Sequence, residues 1–292
     1  MTTIKAFITK HQVLTYFALV FTISWGGLLL VGGLEGLSGR AWQSDPRLPF
    51  MVVAMLAGPS IAGLFLTGVV SGRAGLQELL SRLLRWRVGA RWYAVALLTA
   101  PLVFATVHLA LSLASPVFVP RVLSTGSVGP QLVSAIAGAI LVGLFEEIGW
   151  TGFATPRVGL RHGVLVTGLI VGVPWGAWHL LTNDVWIGNA YAGDLSVPVF
   201  VIANGLSLVA GQLPAYRVLI VWVYDRTGSL LVAMLMHASL SACTFLVSLS
   251  ATGFAFLIDV FVFAAVWWIV VAVVVATSGG QLARQALRRR AA

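Results

Sequence analysis

Glu146 and Glu147 stand side by side in LFEEIGWTGFATP, residues 144–156, within a strongly apolar stretch. Two histidines lie in comparable surroundings. His179 follows Trp175 by one helical turn in VPWGAWHLL, and His237 in LLVAMLMHASLSACT has Ser241 at i+4 and Thr244 at i+7. A charged side chain at mid-bilayer costs at least roughly 2.5–3.5 kcal/mol on insertion scales, so such residues are rare and usually functional. Taken together, these groups can perform general acid–base hydrolysis. A desolvated glutamate is a competent base near neutral pH. A histidine can orient that base or the attacking water, and donors on another helix can hold a developing oxyanion.

Each group alone has a plainer reading. Paired carboxylates can mark a helix end, a histidine can pack against a hydrogen-bonding neighbour, and a Ser/Thr stripe can join helices. Against the helix-end reading, Ile148, Trp150 and Phe153 continue the apolar run past the carboxylates. His108 and Asp259 have no comparable company and read as packing or interfacial residues.

Other hydrolase designs fit less well. There is no His-Glu-x-x-His, because Leu180 follows His179. A serine intramembrane site has only GLSG at 36–39, on an outer loop, and GLSL at 205–208. An aspartyl pair has Tyr224-Asp225, but Tyr191-Ala-Gly-Asp194 lacks the needed glycine. Cys243 is the only cysteine, so neither an intramolecular disulfide nor a cysteine-based zinc cluster can form.

The elements that must position these groups are membrane helices. Of 292 residues 59% are hydrophobic and only 9% charged, against about 25% charged in a soluble domain; mean hydropathy is +0.97. Eight apolar runs fit spans of about 20 residues: Val13 to Gly33, Phe50 to Val70, Trp92 to Ser115, Gln131 to Gly152, Val164 to Leu181, Val197 to Trp222, Ser229 to Leu249 and Phe254 to Thr277. The sixth carries Pro214, a potential break. Backbone satisfaction in lipid, without β-barrel alternation, leaves a helical bundle. The expected fold is an all-α polytopic transmembrane bundle forming a single membrane-embedded domain over 1–292, its catalytic core at about 130–250.

Assigning alternate loops to the cytoplasm gathers fifteen of the 18 basic residues there, Arg157, Arg161 and Arg217 among them, and both termini. The other side keeps Arg40, Arg47 and Arg121 with Glu35, Asp45, Asp184 and Asp194. The net charge of +9 is then topology, and its dispersal over several loops argues against a nucleic-acid partner. In GRAGLQELLSRLLRWRVGARW, residues 72–92, leucines 76, 79, 80, 83 and 84 form an apolar face flanked by arginines. That segment is expected to lie along the inner headgroup layer.

Three segments in order carry a family resemblance: Glu146-Glu147-Ile-Gly-Trp-Thr-Gly-Phe, Trp175-Gly-Ala-Trp-His179-Leu, and Val223-Tyr-Asp-Arg-Thr-Gly-Ser leading to His237-Ala-Ser. They resemble the signatures of the CPBP family, which comprises type II CAAX prenyl endopeptidases and bacteriocin-processing or immunity-related membrane proteins. The resemblance implies a glutamate-dependent intramembrane protease that needs no cofactor. Glu146 would be the general base, assisted by His179. Glu147 would support the electrostatics, and His237 with Ser241 would stabilise the oxyanion. The implied partner is a membrane-associated peptide or protein substrate in the lipid bilayer, and the arginine- and alanine-rich composition fits a bacterial plasma membrane.

Two positions depart from the pattern. The family motif reads Glu-Glu-x-x-x-Arg, and Thr151 takes the arginine's place; Ser241 stands where Asn or a similar residue is usual. Glu147 must then be protonated, sit in water, or find another cation, such as Arg157 or Arg217. Alternatives to proteolysis are a non-catalytic immunity or chaperone-type protein, and a metal-dependent hydrolase with Glu146, His179 and His237 as zinc ligands. One geometric conflict follows from the expected spans. At 1.5 Å per residue His179 lies about 22 Å from the inner end of its helix, whereas His237 lies about 12 Å from the inner end of its own.

Overall fold

The computed structural model describes residues 3–33, 45–123, 128–182, 191–247 and 251–278; their regular structure is helical, with no strand among them. Glu35, Arg40, Asp184, the GLSG at 36–39 and the arginines at 284–290 lie outside the described residues. The helices are α1 (Thr3–Lys10), α2 (Gln12–Gly32), α3 (Leu48–Leu83), α4 (Ala90–Ala114), α5 (Val128–Gly149), α6 (Thr155–Gly159), α7 (Val164–Leu180), α8 (Val197–Leu206), α9 (Leu213–Thr227), α10 (Leu230–Leu246) and α11 (Gly253–Thr277). Two π-helical turns, Trp150–Ala154 and Ser207–Gln212, fuse α5 with α6 and α8 with α9. Six helices are then long and apolar enough to cross a membrane, while α7 and α10 are shorter apolar helices.

The prolines explain both π turns. Proline has no N–H to give to the carbonyl four residues back, and its ring crowds that carbonyl. Pro214 does not break its span. The turn before it widens instead, and the carbonyl of Ala210 receives the Trp268 indole N–H at 3.4 Å. Ahead of Pro156, Thr155 closes the wider turn by giving both its backbone N–H and its hydroxyl to the Trp150 carbonyl. The fourth span therefore runs on to Gly159 rather than stopping at Gly152.

That extension brings Glu146 level with His179. Glu146 lies about 20 Å from the Gly159 end of its helix, and His179 about 22 Å from the Val164 end of α7, at 1.5 Å per residue. Pro174 leaves α7 continuous.

Close helix contacts build the site. Gly168, Gly172 and Gly176 line one face of α7; an added methyl there would meet Val218, Pro214 with Arg217, and Leu208 with Val209 respectively. Small residues at this spacing let membrane helices approach closely, which brings α7 against α9 and its π turn. Gly149 likewise seats α5 against Pro59 of α3 and the Tyr16 hydroxyl of α2. The α9–α10 turn is tight. Gly228, at φ 62°, caps α9 with its N–H on the Tyr224 carbonyl at 2.7 Å, and the Ser229 hydroxyl accepts the Val232 N–H at the start of α10.

His108 and Asp259 are not solitary packing residues. They face each other between α4 and α11 with Nδ1 and Oδ1 3.7 Å apart, both buried. In the segment 72–92, α3 bends at Gly72 (φ 62°) and continues to Leu83. Its leucines split: Leu79 packs on Leu230 and Met234, whereas Leu76, Leu80 and Leu84 are exposed.

Candidate active site

Glu146 and Glu147 are both buried, yet they are held differently. Glu147 receives Nη1 of Arg217 on both oxygens, at 2.9 and 2.8 Å, and the Thr151 hydroxyl on Oε2. Nδ1 of His237 lies 2.7 Å from its Oε1. An ionised carboxylate only accepts, so Nδ1 carries the proton in this contact. Glu147 is thereby neutralised and fixed from α9, α10 and its own helix.

Arg217 corrects its assignment as a cytoplasmic loop charge: it is wholly buried in α9. It is also the cation that Glu147 needs in place of an arginine at 151. Arg157 does not fill that place; it binds Gln12 and the Phe153 carbonyl and stacks on the Phe153 ring. The Arg217 guanidinium lies 4.0 Å over the Trp175 ring, and Nη1 reaches the Thr151 hydroxyl at 3.4 Å. An arginine fork stacked on an aromatic face loses less of its interaction on burial than an ammonium would.

Glu146 is bound by a neutral donor. The Trp175 indole N–H meets Oε2 at 2.7 Å, and Nε2 of His237 stands 4.0 Å from the same oxygen. His237 thus bridges the pair, one ring nitrogen on Glu147 and the other turned toward Glu146. In the sequence Trp175 stands only as a neighbour of His179, and its contact with Glu146 emerges from the structure. The signal was present, since an indole N–H buried in an apolar helix needs an acceptor.

His179 gives Nδ1–H to the Trp175 carbonyl at 2.8 Å, and its ring meets those of Trp175 and Trp178 edge-on, with centroids 5.5 and 4.7 Å apart. It lies within electrostatic reach of Glu146 and His237. Ser241 is buried one turn beyond His237, without a hydrogen bond among the described residues. Tyr16 of α2 is a further polar neighbour absent from the sequence reading. Its hydroxyl is buried against Gly149, has no hydrogen-bond partner among the described residues, and lies within electrostatic reach of Arg217 and both glutamates. No three His, Cys, Asp or Glu side chains among the described residues are grouped as metal ligands.

Four helices thus converge on one buried acid–base cluster, with a base candidate next to a neutralised carboxylate. Residues 127–243, which span that whole cluster apart from Tyr16, match the family described as Type II CAAX prenyl endopeptidase Rce1-like. Over that segment the chain is similar to the CAAX endopeptidase family. No curated protein matches the chain. The family is one of proteases, and with six helices of membrane-spanning length and composition the chain is an integral, multi-pass membrane protein.

Proposed function

We propose that the protein is a glutamate-dependent intramembrane endopeptidase that cleaves a membrane-associated peptide or protein near the cytoplasmic face. The observation that carries this reading is the unequal treatment of the two carboxylates. Glu147 is satisfied by Arg217, Thr151 and His237, while Glu146 is held by Trp175 with His237 Nε2 4.0 Å away. That spacing exceeds a direct hydrogen bond and suits one water shared between the two groups.

In the proposed reaction Glu146 takes a proton from that water as its oxygen attacks the scissile carbonyl carbon. The carbonyl π electrons move to oxygen, giving a tetrahedral oxyanion. His237, oriented through Nδ1 by Glu147, supports that charge in its doubly protonated form, with Nε2–H as the donor, and Ser241 offers a hydroxyl from the next turn. Collapse re-forms the carbonyl and breaks the C–N bond, and the proton held by Glu146 passes to the departing amine. His179 keeps Trp175 in place through the 2.8 Å contact to its carbonyl, which positions the indole on Glu146. His179 is therefore a positioning residue here.

The test compares purified wild type with Glu146→Gln on a membrane peptide library, read by mass spectrometry. The isosteric variant is expected to lose at least about 100-fold in cleavage rate, the lower range for a general base, while unfolding at the wild-type temperature. Unchanged cleavage would remove Glu146 from the mechanism. Cleavage that survives exhaustive chelation would set this reading apart from a zinc hydrolase; loss on chelation and recovery with zinc would favour the metal.

A further inference from the structure

We propose that the bend of α3 forms a binding site for the phosphodiester headgroup of an anionic phospholipid. A cavity of about 250 Å³ lies between the bend and α6, lined by Thr67, Ser71, Glu78, Arg82, Arg157 and Leu160 among others. It is separate from the glutamate pair, and nothing in the hydrolytic scheme uses it.

Three observations converge on lipid. The first is depth. From Leu48 to the bend at Gly72 the helix rises about 36 Å at 1.5 Å per residue, slightly more than the hydrocarbon thickness of about 30 Å. The cavity therefore opens at headgroup level.

The second is charge. Arg82 uses Nη1 on the Tyr224 hydroxyl at 2.9 Å, and Arg157 uses Nε on Gln12 and Nη1 on the Phe153 carbonyl. Each thereby keeps its Nη2 without a hydrogen bond among the described residues, and the two guanidinium groups lie within electrostatic reach of each other and of Glu78. Two arginines and one glutamate leave one positive charge, which a phosphodiester neutralises. Planar guanidinium forks suit phosphate oxygens.

The third is the rim. Leu160, 56% exposed, lines the cavity and gives it an apolar ledge on which an acyl chain can lie. A soluble anion would have no use for that ledge.

The test uses the full chain in a neutral detergent, with phosphatidylglycerol titrated and binding read by native mass spectrometry and thermal unfolding. One phosphatidylglycerol is expected to bind and raise the unfolding temperature, with phosphatidylcholine much weaker. Arg82→Gln and Arg157→Gln are each expected to weaken binding about fivefold, the effect of one basic residue at a membrane surface. Arg82→Lys should recover most of it, which guards against a folding defect. Arg91→Gln, an exposed arginine stacked on Trp92, should bind as wild type. Binding as tight as wild type by both glutamine variants would overturn the site. So would protection by inorganic phosphate, or by a peptide with a free C-terminal carboxylate, that matches the lipid's.

Discussion

A buried carboxylate that receives an arginine at 2.8 Å, a histidine at 2.7 Å and a threonine hydroxyl has little capacity left for chemistry. Glu147 is best understood as the anchor that sets the orientation of His237, and Arg217 as the charge that allows Glu147 to stay there. Removing one partner of a buried ion pair costs about 3–5 kcal/mol, because the other is left uncompensated. Arg217→Gln is therefore expected to destabilise the protein strongly. The motif arginine absent at 151 suggests a rescue. Thr151→Arg alone forces a second guanidinium beside the first in fully buried space and should destabilise as well. The double variant Thr151→Arg/Arg217→Gln returns a single cation to Glu147 from its own helix. A double-mutant cycle on unfolding in detergent should give a favourable coupling of about 1–3 kcal/mol, the scale for residues sharing one network. Strict additivity would mean that Thr151 and Arg217 do not serve Glu147 in common.

Between helices, the approach of α7 to α9 decides whether Trp175 can reach both Arg217 and Glu146. A leucine at Gly172 would collide with the backbone at Pro214 and the Cβ of Arg217, pushing the helices apart at the level of the stack. Gly172→Leu is expected to abolish cleavage and lower the unfolding temperature. On the outward face of the same helix Val173, 42% exposed, should accept leucine without effect; equal tolerance at both positions would refute the close-approach argument. The sequence carried this level unevenly. Apolar runs and their order were readable because a lipid-facing helix must be apolar along its length, and Glu146, Glu147 and His237 were readable because charge is costly there. The π turns were not, because Pro214 and Pro156 announce an interruption without saying whether the helix breaks or widens. The pairing of His108 with Asp259 was hidden for another reason. Nothing local on α4 or α11 records which neighbour each will face, just as nothing next to Arg217 shows that it turns inward.

Across the membrane, the distribution of arginines makes a prediction about the whole chain that α7 tests most severely. Its 17 residues extend about 26 Å, at the short limit for a spanning helix. Yet the charge pattern puts its two ends on opposite sides: Arg157 and Arg161 precede it, and Asp194 follows it. Cytoplasmic loops collect Lys and Arg, so Arg161 should face inside and Asp194 outside. The connection after α4, with the partly exposed Val119, should also face outside, because the helix Val128–Gly159 intervenes. Cys243 is the one native thiol, so Cys243→Ala supplies a blank background for single cysteines at 119, 161 and 194. An impermeant maleimide is expected to label 161 only in inverted vesicles, and 119 and 194 only in right-side-out ones. Labelling of 161 and 194 from the same side would show that α7 is re-entrant and reduce the crossings from eight. The Glu146 site would then open toward the face that both positions share, and the proposed cytoplasmic cleavage would have to be reassigned accordingly.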